Sequence, residues 1–138
     1  MKTIKTITRE SFAPYGSLLA FSPEPENDLF EIVVREQKEP WRIAMLRVVR
    51  RAAERLERHP GSMETFEPVS GVSVLLVADP ATPDNWEAFL LDQPVCVGKG
   101  VWHEIITLSE ESLCKLTENL DVECVYHPLA EPVAPYIR

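Results

Sequence analysis

The chain is predicted to be all-β, a sandwich or barrel of antiparallel strands with little helix, and three observations predict it. Ten or so short strand-like segments recur at intervals of about 8–12 residues, the spacing of strands joined by short turns. Twelve prolines stand against five glycines; proline fixes φ and lacks an N–H, so it suits turns and strand ends rather than helix interiors. No helical period survives long enough to build a βαβ unit. The 138 residues fit one domain, residues 1–138, and 45% hydrophobic content suffices for a core.

Each element follows from local composition. Thr8 to Phe12, followed by Ala13-Pro14-Tyr15-Gly16, reads as a one-turn helix closed by a turn. Ser17 to Phe21 is a first strand, and the acidic, proline-rich run from Ser22 to Asp28 is a loop. Phe30 to Val34 is a short strand. Pro40 to Val49 is a long one, with Ile43, Met45 and Arg47 on one face and Ala44, Leu46 and Val48 on the other. Arg51 to Leu56 can pass for a helical turn, ended by Arg58-His59-Pro60-Gly61. Val72 to Ala78, continuous and β-branched, is expected to be buried on both faces. Asp79 to Asp84 is a turn cluster. Trp86 to Leu91, Val95 to Val97, Trp102 to Leu108, Ser112 to Thr117 and Val122 to Tyr126 complete the strands.

Charge and targeting signals exclude several function classes. A net charge of −8 repels phosphate backbones, so a nucleic-acid partner is not expected. Arg47, Arg50, Arg51, Arg55 and Arg58, interrupted by Glu54 and Glu57, read first as a solvated face and second as an anion-binding group. The N-terminus lacks an apolar h-region and no apolar run approaches the ~20 residues of a membrane span, so a cytoplasmic location is expected. Cys96, Cys114 and Cys124 are odd in number and lack a CxxC pair, which reads as reduced, partly buried thiols.

The chemistry concentrates around two of the three histidines. Glu57 and His59 alternate to the same side of a strand, and the Pro60-Gly61 turn brings Glu64 back beside them. Gly98-Lys99-Gly100 delivers His103 onto a later strand. Two imidazoles and a carboxylate suit a first-row divalent metal and leave positions for substrate and water. His59, Glu64 and His103 are therefore the candidate metal ligands, with manganese, nickel, iron or zinc all compatible. His127, before Pro128, is expected at the surface. Glu104 should project opposite to His103, toward solvent.

This spacing resembles the cupin superfamily. Its first motif runs histidine, any residue, histidine, three or four residues, glutamate, six residues, glycine. Glu57 stands at the first histidine here, and His59, Glu64 and Gly71 occupy the other places. In the second motif Gly98 replaces a proline, Gly100 and His103 match, and Thr107 replaces an asparagine. Leu56 to Ser62, Phe66, Pro68, Gly71, Pro83-Asp84, Ala88-Phe89 and Gly100 to His103 together resemble the ureidoglycolate lyase family, also called ureidoglycolate hydrolase, as does the opening Phe12 to Gly16.

The resemblance implies a double-stranded β-helix, or jelly-roll-like barrel, assembling as a homodimer. It also implies release of urea from ureidoglycolate, a small carboxylate, to give glyoxylate in purine-nitrogen salvage. Within that scheme Glu57 is expected to take the substrate's hydroxyl proton. Lys99 or Arg47 would hold a carboxylate oxygen or the leaving group. Trp102 is expected to contact substrate, with core or dimer-interface packing as the other reading for all three tryptophans. At Glu64 the family usually has an amide, at Glu104 a second histidine, and its longer N-terminal segment is not matched between Phe30 and Trp41. The competing functions are a non-catalytic ligand-binding cupin and a cupin enzyme of another class, such as a sugar isomerase.

Overall fold

A computed structural model describes residues 2–135. Eleven strands and one short helix follow in order: β1 (Ile4–Thr6), α1 (Arg9–Phe12), β2 (Gly16–Leu18), β3 (Trp41–Val48), β4 (Ala53–Arg58), β5 (Glu64–Ser70), β6 (Ser73–Ala78), β7 (Glu87–Leu90), β8 (Val95–Val97), β9 (Trp102–Thr107), β10 (Ser112–Asn119) and β11 (Val125–Val133). The architecture is all-β, as expected. α1 is the anticipated single turn; the Thr8 hydroxyl accepts from the Ser11 N–H at 2.9 Å, and the Ser11 hydroxyl accepts from the Thr8 N–H at 2.8 Å.

The strands form two sheets, ordered β1-β7-β6-β9-β4-β11 and β2-β8-β5-β10-β3. From β3 to β10 the chain alternates between them except at the β6-β7 hairpin, so that β7-β6-β9-β4 faces β8-β5-β10-β3. That is the jelly-roll order, the cupin arrangement, in which each sheet supplies one wall of an interior. Phe12, Phe66, Leu75, Val77, Phe89, Val95, Val97 and Leu116 fill much of that interior. The opposite face of the six-stranded sheet carries a second cluster built on Leu56, Val74, Leu76, Trp102 and Ile106, with Trp86, Leu129 and Val133 packed against it. Every residue of β6 is consequently buried, and its two alternating sets serve the two clusters.

Several expectations are corrected. Phe30 to Val34 is not a strand; Leu29, Phe30, Ile32 and Val33 are exposed, and the segment pairs with no strand among the described residues. Residues 53–58 form β4 rather than a helical turn, because β9 and β11 flank them and take their backbone groups. β5, unrecognised in the sequence, lies centrally between β8 and β10. Its Pro68 sits where the register against β10 slips between Leu113 and Cys114, a bulge that tolerates a missing N–H. β11 runs on to Val133, beyond the expected strand end at Tyr126. No helix among the described residues is long and apolar enough to cross a membrane.

Candidate metal centre

The open end of the interior holds a cavity of about 330 Å³, walled by both sheets. Glu57 on β4 stands opposite His103 on β9 in the antiparallel register, so both side chains project inward together. From the facing sheet, Glu64 at the start of β5 pairs in register with Glu118 on β10, and Arg42 on β3 pairs with Glu118 on its other side. His59 lies just past the end of β4, in the turn formed with Pro60 and Gly61. The Gly100 N–H donates to the His59 carbonyl at 2.9 Å, which ties the two histidine-bearing turns together. Gly100 has φ +76°, a left-handed conformation that glycine adopts without strain and that lets the chain enter β9 at once.

The predicted ligands converge. Glu64 Oε2 lies 2.8 Å from His103 Nε2 and 3.3 Å from His59 Nε2. Glu57 Oε1 lies 3.1 Å from His59 Nε2 and 3.8 Å from His103 Nε2. One donor atom from each of His59, Glu64 and His103 falls within 4.8 Å of the others, and all three residues are buried. Both imidazoles are oriented from behind: Nδ1 sits 3.0 Å from the Glu123 carbonyl in His59 and 3.1 Å from the Val101 carbonyl in His103. With Nδ1–H donated to a carbonyl, each Nε2 is presented to the cavity, as in metal sites whose histidines are fixed by outer partners.

The charge pattern suits a cation. Burial alone would raise the Glu64 pKa, but His103 and His59 bring it down to about 2. Burial alone would lower the His59 pKa, but Glu57 and Glu64 hold it up to about 11. His103 is likewise raised by Glu64 against its burial, and Glu57 is lowered chiefly by His59. The carboxylates that attract protons onto these imidazoles would attract a divalent ion in their place, with release of the protons. The closeness of Glu64 to His103 is electrostatic rather than directional. Glu64 Oε2, His103 Nε2 and Glu118 Oε2 are all buried without an aligned hydrogen-bond partner among the described residues. Each such atom costs on the order of 1–3 kcal/mol when left unmatched, and a shared ion would satisfy them together. The residues fit a divalent metal.

The structure brings in residues that the sequence reading passed over. Glu118 Oε1 accepts two bonds from Arg42, 3.1 Å from Nε and 2.7 Å from Nη2, which leaves Oε2 facing His59 at 3.9 Å. The only local hint was a glutamate in the inward phase of β10, after Cys114 and Leu116. Cys124 also lines the cavity, as do Arg50 and Arg55 with the expected Arg47. Three of the five clustered arginines therefore stand at its mouth, all three exposed to solvent as the first reading expects. Arg47 is bound to Glu111 at 2.6 Å and Arg50 to Glu104 at 2.6 Å, while Arg55 stacks on the Tyr126 ring at 3.9 Å.

Two site expectations are redirected. Lys99 pairs with Glu36 at 2.8 Å and is not among the cavity residues, because its turn points it outward. Trp102 precedes His103 by one residue and so faces the other side of β9; its Nε1–H donates to the Pro80 carbonyl at 3.0 Å and its ring packs in the second cluster. Glu104 is not in solvent but mostly buried on Arg50, with its pKa raised by burial. His127 is half-buried, 2.8 Å from Asp84 Oδ1 and against Trp102.

A family model described as ureidoglycolate lyase matches residues 1–119. A ureidoglycolate lyase of Burkholderia cepacia is 32% identical over 121 residues, covering 72% of this chain and 68% of the relative. Among solved structures, oxalate decarboxylase from Bacillus subtilis is similar with a TM-score of 0.48 at 19% identity, covering 66% of this chain and 24% of that one. The Lactobacillus farciminis oxalate decarboxylase formate complex gives 0.48 at 20% identity, with 66% and 27% covered. This chain thus spans about a quarter of those two proteins.

Proposed function

We propose a metal-dependent lyase that releases urea from ureidoglycolate to give glyoxylate, on the premise that the chain belongs to the ureidoglycolate lyase family. The observation that carries the reading is the convergence of His59, Glu64 and His103 within 4.8 Å at a cavity open to solvent. A divalent ion held by these residues would polarise the oxygens of an α-hydroxy-carboxylate and acidify its hydroxyl.

The chain's own residues supply the rest. Glu57 is the half-exposed carboxylate beside both imidazoles, and its lowered pKa keeps it ionised and able to accept a proton at neutral pH. It takes the hydroxyl proton as the carbonyl forms and the C–N bond breaks; the same proton then passes to the departing nitrogen, so that urea leaves neutral. Arg55 and Arg47 at the mouth hold the substrate carboxylate by charge-assisted bonds. Arg42 fixes Glu118, and Glu118 keeps the interior negative beside His59.

Two further features belong to the proposal. The outer face of β3, an edge strand, exposes Trp41, Ile43 and Met45 in alternation, which supports a homodimer that covers them. The three unpaired thiols support a reducing, cytoplasmic location.

Colorimetric urea release from ureidoglycolate tests the reading, with chelated protein and with added manganese, nickel, iron or zinc. Activity should need an ion, and Glu57→Gln should lose on the order of 100-fold or more in rate. Tight metal binding without urea release would instead favour a ligand-binding cupin or an enzyme of another class.

A further inference from the structure

We propose that Cys124 completes a second metal site at the cavity mouth, shared with Glu57 and His59 and selective for thiophilic divalent ions such as zinc or cadmium. The sheet places it there. β11 pairs Val125 with Arg58 and Tyr126 with Glu57. One step further along that antiparallel count sets Cys124 across from His59, and residues opposite each other project to the same side. Cys124 Sγ lies 3.7 Å from His59 Nδ1. One donor atom from each of Glu57, His59 and Cys124 falls within 4.8 Å of the other two. Cys124 is the exposed thiol, whereas Cys96 and Cys114 are buried.

The donor set differs in kind from the interior one. His59, Glu64 and His103 offer nitrogen and oxygen, which accept manganese, iron, nickel or zinc alike. Replacing two of those donors by a thiolate and the half-exposed Glu57 favours a soft or borderline ion, and sulfur, nitrogen and oxygen in tetrahedral array suit zinc. Coordination displaces the Cys124 proton to solvent. His59 belongs to both sets, and Glu57, the proposed base, belongs to the mouth set, so an ion at the mouth takes up Glu57 and competes for His59. Zinc or cadmium in excess should therefore inhibit turnover. This inhibition rests on the lyase reading, whereas the site itself rests on the geometry alone. Cys124 also lies beyond residue 119, where the family match ends.

Cadmium titration of metal-free protein provides the test, read as the ultraviolet sulfur-to-metal charge-transfer band. The band should appear in the native chain and vanish in Cys124→Ser, which changes one exposed atom. The manganese-induced rise in melting temperature should persist in that variant. Cadmium should also protect Cys124 from iodoacetamide in the native protein. A missing band in the native chain, or an undiminished one in Cys124→Ser, would overturn the proposal. Neither readout needs substrate, so a protein inactive on ureidoglycolate still decides whether the mouth site exists; if it is active, zinc inhibition should weaken in Cys124→Ser.

Discussion

Replacing His103 with glutamine separates a true metal centre from a chance cluster. The substitution removes one of three converging donors from a residue only 5% exposed, but keeps a polar side chain of similar reach. Around the two imidazoles stand the carboxylates of Glu57, Glu64 and Glu118, the last of them paired with Arg42. An ion at one hundred times its dissociation constant stabilises the folded chain by about 2.7 kcal/mol. For a chain of this length each kcal/mol is worth roughly 3–4 °C, so the native protein should gain roughly 8–11 °C. Losing a ligand should weaken binding at least ~100-fold, since outer partners alone account for up to that much. The same ion concentration then equals the dissociation constant, and the gain falls to about 0.4 kcal/mol, or roughly 1–2 °C. Differential scanning fluorimetry of chelated protein, with and without manganese, nickel, iron and zinc, measures both. Equal shifts in native and variant protein would place the ion elsewhere. No shift with any of the four would remove the metal from the reading.

Other predictions test the frame around the site. Gly71 has φ +74°, and a Cβ there would come within 2.5 Å of the Glu111 carbonyl oxygen and 2.7 Å of Ser112 Cα; Gly71→Ala should cost on the order of 1–3 kcal/mol in urea denaturation. Phe89 is fully buried between Phe12 and Tyr15, at 5.4 and 5.9 Å, so Phe89→Ala should cost about 3–5 kcal/mol, and a change below about 1 would contradict the packing. Glu87 is held below the ordinary carboxylate range first by Lys5 and then by the Tyr15 hydroxyl, which donates to it at 2.6 Å. Its folded pKa being depressed, its contribution is present above pH 4.5 and is lost as the pH falls below that value. Glu87→Gln should flatten the acid limb of a stability-versus-pH curve, and an unchanged limb would refute the pairing.

The sequence by itself determined what depends on near neighbours. Proline and glycine placed the turns, and the unbroken apolar run at residues 74–78 announced a strand buried on both faces. The spacing of Glu57, His59 and Glu64 around Pro60-Gly61 announced a chain reversal that brings the three side chains together. Even His103, far away in the chain, was legible because Gly98 and Gly100 mark the turn that delivers it. Only the tertiary structure decided which face of each strand looks inward and what stands across from it. Trp102 and His103 are adjacent, yet β9 sends one to the outer cluster and the other to the cavity. Glu118 joined the site through its register with Glu64 and Arg42, and Cys124 through the register that aligns β11 with β4. Phe30 to Val34 has strand-forming side chains but no strand beside it, and a strand exists only where a neighbour takes its hydrogen bonds. Register and facing are properties of pairs of segments distant in sequence, so no local pattern could have fixed them.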